Sequence, residues 1–148
     1  MHPSDPVTHF DDSLWPLLII RPPCLATGRQ QEECLATIAA YLRRREKHLS
    51  IVDLRQVSQV PLDQRQRQVA WLQEHETLMR EALIGTALII TSPVIRLSMS
   101  LILHLKPLPV PHHIGPHLAT AALWAAERFQ EAGLPLVAAR VRQHFSAS

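Results

Sequence analysis

Residues 92–105 read SPVIRLSMSLILHL. Ser92 offers a hydroxyl to cap a helix, and Pro93 suits the first helical position, where its missing N–H costs nothing. Beyond them, the polar residues Arg96, Ser100 and His104 recur every four positions, which on a helix gathers them in one stripe. Val94, Ile95, Leu97, Met99, Leu101, Ile102, Leu103 and Leu105 cover the rest, so the helix is expected to be buried nearly all round. Its polar stripe would then face water, a cleft or a second chain.

Working outward, Thr86–Ile90 is an apolar run that reads as a strand leading into this helix. After it, Pro107, Pro109 and Pro111 forbid a helix, leaving a short edge strand around Val110–Ile114. Leu118, Ala122, Ala125, Phe129 and Ala132 keep a helical period up to Gly133, and Leu134–Phe145 reads as one more amphipathic helix.

Upstream, Leu17–Ile20 between Pro16 and Pro22 has the continuous apolar character of a strand covered on both faces. Thr27 followed by Gln30 fits a capping box, and Cys34, Leu35, Ile38, Ala39 and Leu42 follow at helical spacing. The basic run from Arg43 to Lys47 complements the end of that helix. Leu49–Leu54 is strand-like, with Asp53, Leu54 and Arg55 at its carboxyl end. Asp63 with Gln66 resembles a second cap, and Val69, Leu72, Met79 and Leu83 mark the inner stripe of a long helix ending near Gly85.

Strands alternating with helices of this length predict a single α/β domain with a mixed sheet of four to five strands and helices packed on it. Residues 1–12 are expected to form a tail or edge segment, 13–132 the domain, and 133–148 an additional helix. A chain of 148 residues suffices for one core that buries about 70% of its unfolded surface. With 47% hydrophobic and 19% charged residues and a net charge of +2, the composition is globular, and it gives no argument for a nucleic-acid partner. No apolar run approaches the roughly 20 residues of a membrane span. Cys24 and Cys34 lack metal spacing, and the first residues lack a secretion signal, so a reducing cytoplasm is expected.

The motifs Trp15-Pro16-Leu17-Leu18-Ile19-Ile20, Ile51-Val52-Asp53-Leu54-Arg55, Leu88-Ile89-Ile90 with Ser92 and Arg96, Pro107-Leu108-Pro109 and Ala121-Ala122-Leu123-Trp124 together resemble the SpoIIAA-like branch of the STAS superfamily. The resemblance covers roughly residues 13–132. It implies a STAS-like fold and a non-enzymatic regulatory module of a bacterial cytoplasm, which binds protein partners, or sometimes nucleotides or lipids, through the loop and helix after the Asp-Leu strand. Phosphorylatable members carry a serine at the start of that helix. Here the stretch is Gln59-Val60-Pro61-Leu62-Asp63, and Ser58 stands a few residues early in the loop, so the phosphoserine switch is not expected.

The candidate partner- or ligand-binding residues are accordingly Asp53, Arg55, Ser58, Arg96, Leu97, Ser100, Leu101 and His104. Asp53 at a strand end can serve a cleft or simply pair with Arg55. A buried Arg96 would need a carboxylate of the fold, an anion or a partner's acid. Leu97, Leu101 and Leu108, if exposed, would suit a homodimer or another protein. The alternative is a small-ligand or lipid-binding domain, with an apolar pocket under the 93–105 helix and Arg96 meeting an anionic head group. His104, His112, His113 and His117 match no strong zinc motif and read as solvent-facing, so neither a metal nor a cofactor is expected. No nucleophile–base pair is placed by the sequence, and its four glycines form neither GxGxxG nor a Walker loop.

Overall fold

The computed structural model describes residues 7–146. The strands are β1 (His9–Leu14), β2 (Leu17–Arg21), β3 (His48–Asp53), β4 (Leu83–Ile89) and β5 (His112–Gly115). The helices are α1 (Gly28–Arg43), α2 (Leu62–Glu74), α3 (Glu76–Ala82), α4 (Pro93–Leu105), α5 (Leu118–Glu131) and α6 (Pro135–Ser146). One five-stranded sheet runs β1-β2-β3-β4-β5, with β1 antiparallel and the others parallel, which is the mixed α/β domain expected.

A sheet laid down in chain order needs three successive parallel crossovers in one direction, and the common handedness of such connections puts all their helices on the same face. Thus α1, α2, α3 and α4 cover one side. The other side is closed by α5 and α6, whose Ala121, Ala125, Phe129, Ala138 and Val141 pack on Leu17, Ile19, Leu49, Ile51, Ala87 and Ile89. Residues 133–146 therefore share the core of the domain. Leu18, Ile20, His48, Ser50, Val52, Thr86 and Leu88 alternate with those positions and face the crossover helices.

Local signals account for most boundaries. Thr27 Oγ1 accepts from Gln30 N at 3.1 Å while Gln30 Oε1 accepts from Thr27 N at 2.8 Å, completing the capping box of α1. Ser92 Oγ accepts from Ile95 N at 3.4 Å at the start of α4, with Pro93 in the first turn.

Four features differ from the sequence reading. The N-cap of α2 is Pro61, and Asp63 lies inside the first turn, where its charge complements the helix dipole. The long helix expected up to Gly85 is broken at His75, whose Nδ1 and backbone N both reach the Trp71 carbonyl, at 2.9 and 3.0 Å. Gly85 lies within β4: a Cβ there would stand 2.9 Å from Trp124 Cη2 and 3.0 Å from the Pro111 carbonyl, so glycine permits α5 to approach the strand. β1 also runs across the boundary drawn at residue 12. Its polar sequence and the irregular pairing between Asp11 and Leu14 are those of an edge strand.

Candidate functional site

Between the sheet and the crossover helices lies a cavity of about 220 Å³. It runs along the strands from His48, at the amino end of β3, to Val57 and Val60 in the loop beyond its carboxyl end, where Gln59 meets solvent. The walls are mainly apolar, with Leu35 and Ile38 of α1, Trp71 and Leu72 of α2, and Met99, Ile102 and Leu103 of α4, and they include Gln30 and Gln31 of α1 and Gln64 and Gln68 of α2. Space does exist beneath the 93–105 helix, but α1 and α2 enclose most of it.

The floor carries hydroxyls. Ser50 and Thr86 are paired in register on β3 and β4, with Oγ and Oγ1 2.9 Å apart and the residues only 7% and 5% exposed. Two hydroxyls share one hydrogen in that bond, so the second O–H remains to donate to whatever lies above it. His48 is 2% exposed, and its Nδ1 donates to the Glu46 carbonyl at 2.8 Å, a bond that fixes the neutral tautomer with Nε2 as acceptor. Burial, aided by the nearby Arg44 charge, holds its pKa below the usual histidine value against the pull of the Glu46 carbonyl. Cys34 on the α1 wall is a thiol whose pKa burial pushes up, partly offset by a hydrogen bond with Thr8.

Two loops close the carboxyl end. Ser58 N and Oγ both donate to the Cys24 carbonyl, at 2.9 and 3.0 Å, tying the β3–α2 connection to the β2–α1 connection. Gln64 Nε2 donates to the Ala26 carbonyl and Gln31 Nε2 to the Gln64 carbonyl, each at 2.8 Å. Ser58 is thus engaged in holding the rim.

Asp53 and Arg55 sit at the end of β3, and Asp53 belongs to the sheet face opposite the cavity. Asp53 Oδ1 accepts from Arg55 N and Nε at 3.1 and 2.9 Å, Oδ2 from Arg55 NH2 at 2.7 Å, and Arg21 Nε stands 3.6 Å from Oδ2. Hydrogen bonding from Arg55, together with the Arg55 and Arg21 charges, keeps the carboxyl below its ordinary pKa despite burial.

On α4, Ile95, Ser98 and Ile102 are buried, whereas Arg96, Leu97, Ser100, Leu101, His104 and Leu105 are exposed. The helix is therefore covered on one side only. Arg96 stands on its outer side, outside the cavity wall, and among the described residues it has no carboxylate partner. Among the described residues, no three His, Cys, Asp or Glu side chains are grouped to hold a metal ion, and no helix is long and apolar enough to cross a membrane.

The sequence reading did not single out His48, Ser50 or Thr86. Their signal was present in β3, where His48 and Ser50 alternate with Leu49 and Ile51, a period of two that sets polar side chains on one face of a buried strand.

Comparison with protein-family models, with curated proteins and with solved structures found no match.

Proposed function

We propose that this domain binds a small, largely apolar molecule in the cavity between its sheet and helices α1, α2 and α4. Protein interiors pack as densely as organic crystals and hold few voids larger than a water molecule. This space is far larger than such voids, is lined mainly by apolar side chains and opens to solvent at Gln59, so an apolar molecule entering it would be taken out of water against a matching surface. The cavity itself is the observation that carries the reading.

Binding without catalysis suits the side chains there, since His48 is engaged through Nδ1 and Cys34 is held as the thiol. The resemblance to STAS domains stands beside this as a proposal resting on the sequence motifs, with Ser58 bonded into the rim in a way that fits a module without a phosphoserine switch. Titration of the full chain with octan-1-ol, followed by amide NMR, is expected to give saturable shifts confined to residues such as Ser50, Trp71 and Met99. Shifts that never saturate, or that scatter over the surface, would remove the proposal.

A second reading, self-association, is favoured by the outer side of α4. Val94, Leu97, Leu101 and Leu105 are 59%, 62%, 43% and 70% exposed there, a seam that a second copy can match across a two-fold axis. Size-exclusion chromatography at rising concentration is expected to give a dimer that Leu101→Asp dissociates. A monomer at every concentration would dismiss this reading.

A further inference from the structure

We infer that the molecule held in the cavity is electrically neutral, has roughly nine non-hydrogen atoms, and carries one oxygen function that meets the Ser50–Thr86 hydroxyl pair. The inference rests on the ligand-binding reading and deepens it by assigning the ligand's chemistry.

Charge is decided by what the wall lacks. Among the described residues lining the space there is no Asp, Glu, Lys or Arg. Several charged residues on the surrounding elements are paired elsewhere: Asp53 with Arg55 and Arg21, Glu46 with Trp15 Nε1 and Arg44, and Arg67 with Glu32 and Glu74. Arg65, beside the lining residue Gln64, keeps a buried Nε without a partner among the described residues but is not part of the wall. An ion entering such a space would lose its hydration without gaining a counter-charge, a penalty that apolar contacts do not repay. A fatty-acid carboxylate or phosphate head is therefore a poor occupant.

Size follows by proportion. A dry cavity of about 150 Å³ lined by aliphatic and aromatic side chains accepts benzene, so one of about 220 Å³ accepts roughly nine non-hydrogen atoms. Polarity follows from the floor. The spare O–H of the Ser50–Thr86 pair is a donor on a floor that also carries the His48 ring, while the lining glutamines Gln30, Gln31, Gln59, Gln64 and Gln68 belong to α1, α2 and the rim, and a buried donor without an acceptor is costly. A hydroxyl or carbonyl oxygen on the ligand satisfies it. An uncharged alcohol, phenol or ketone with a compact hydrocarbon body meets all three requirements.

The test compares octan-1-ol, octanoate and octylammonium on the full chain at pH 7 by calorimetry and amide NMR. The three share one alkyl chain and differ in charge, since the acid and the amine are both ionised there. Octan-1-ol is expected to bind with each ion at least about tenfold weaker. The double variant Ser50→Ala/Thr86→Val is expected to weaken octan-1-ol about fivefold, the worth of one neutral hydrogen bond, while leaving n-octane unaffected. An ion that binds as tightly as the alcohol would overturn the neutral assignment and leave the cavity reading standing. Unchanged octan-1-ol affinity in the double variant would overturn the role of the hydroxyl pair. Failure of all the probes to saturate would instead sink the ligand-binding reading together with this one.

Discussion

Ser50 and Thr86 occupy paired positions on adjacent parallel strands, and their hydroxyl oxygens lie 2.9 Å apart in a buried, mainly apolar layer. Each hydroxyl is the other's protein partner, so removing one strands the other. Ser50→Ala is expected to destabilise the fold by about 1–3 kcal/mol, the cost of an orphaned buried hydroxyl. Ser50→Ala/Thr86→Val removes both and keeps Thr86's shape, so it is expected to be less destabilising than the sum of the single changes. Urea unfolding of the four proteins gives the comparison, and strictly additive losses would contradict the pairing.

The ion cluster at the end of β3 predicts a pH dependence with a definite sign. Arg55 holds the Asp53 carboxyl below its ordinary value of 3.8 in the folded chain, while the unfolded chain takes up the proton near that value. Its contribution is thus complete above about pH 5 and is lost as the pH falls through the depressed folded value. Asp53→Asn should cost about 1–2 kcal/mol at pH 7, allowing for the partly exposed Arg55. The gap between variant and parent should close as the pH drops from 4 towards 2. A gap independent of pH would mean that Asp53 acts through its shape alone.

The strands were legible because apolar runs such as Leu17–Ile20 and Thr86–Ile90 leave a buried sheet as the simplest outcome, and two helix starts because Thr27 and Ser92 can satisfy free N–H groups. The break at His75 was not legible, since residues on both sides keep one apolar stripe, and the non-helical backbone of His75, with its ring nitrogen adding a second bond to the Trp71 carbonyl, leaves no mark on that period. The outer side of α4 was misjudged for a related reason. Composition shows that Leu97, Leu101 and Leu105 are apolar, but only the packing shows that no element covers them. The cavity has no sequence signature because it is a space left among side chains contributed by β2, β3, β4, α1, α2 and α4. Its polar floor did have one, in the alternation of His48 and Ser50.

Gly85 and Trp124 predict a steric coupling across the opposite face of the sheet. A methyl group at position 85 would meet Trp124 Cη2 at 2.9 Å and the Pro111 carbonyl at 3.0 Å, so Gly85→Ala is expected to cost about 1–3 kcal/mol through overpacking. Trp124→Phe withdraws the ring atom but leaves the carbonyl. The double variant is therefore expected to be more stable than the two single losses added together, yet short of full recovery. Thermal unfolding of the cycle measures this, and simple additivity would show that the close approach is not what selects glycine.

The two thiols report on the cavity from different positions. Cys24 is exposed, whereas Cys34 is partly buried against the cavity, with its pKa pushed by burial above the ordinary 9.0. Thiolate is the reactive form, so a disulfide reagent at pH 8 is expected to modify Cys34 at least about tenfold more slowly than Cys24. The Cys34 rate should still be climbing at pH 9. In the Cys24→Ser protein, saturating octan-1-ol should slow Cys34 further by occupying the space beside it. In the Cys34→Ser protein, the same addition should leave Cys24 unchanged. Equal slowing of both thiols would indicate a solvent effect, and no slowing of Cys34 would place the alcohol outside the cavity.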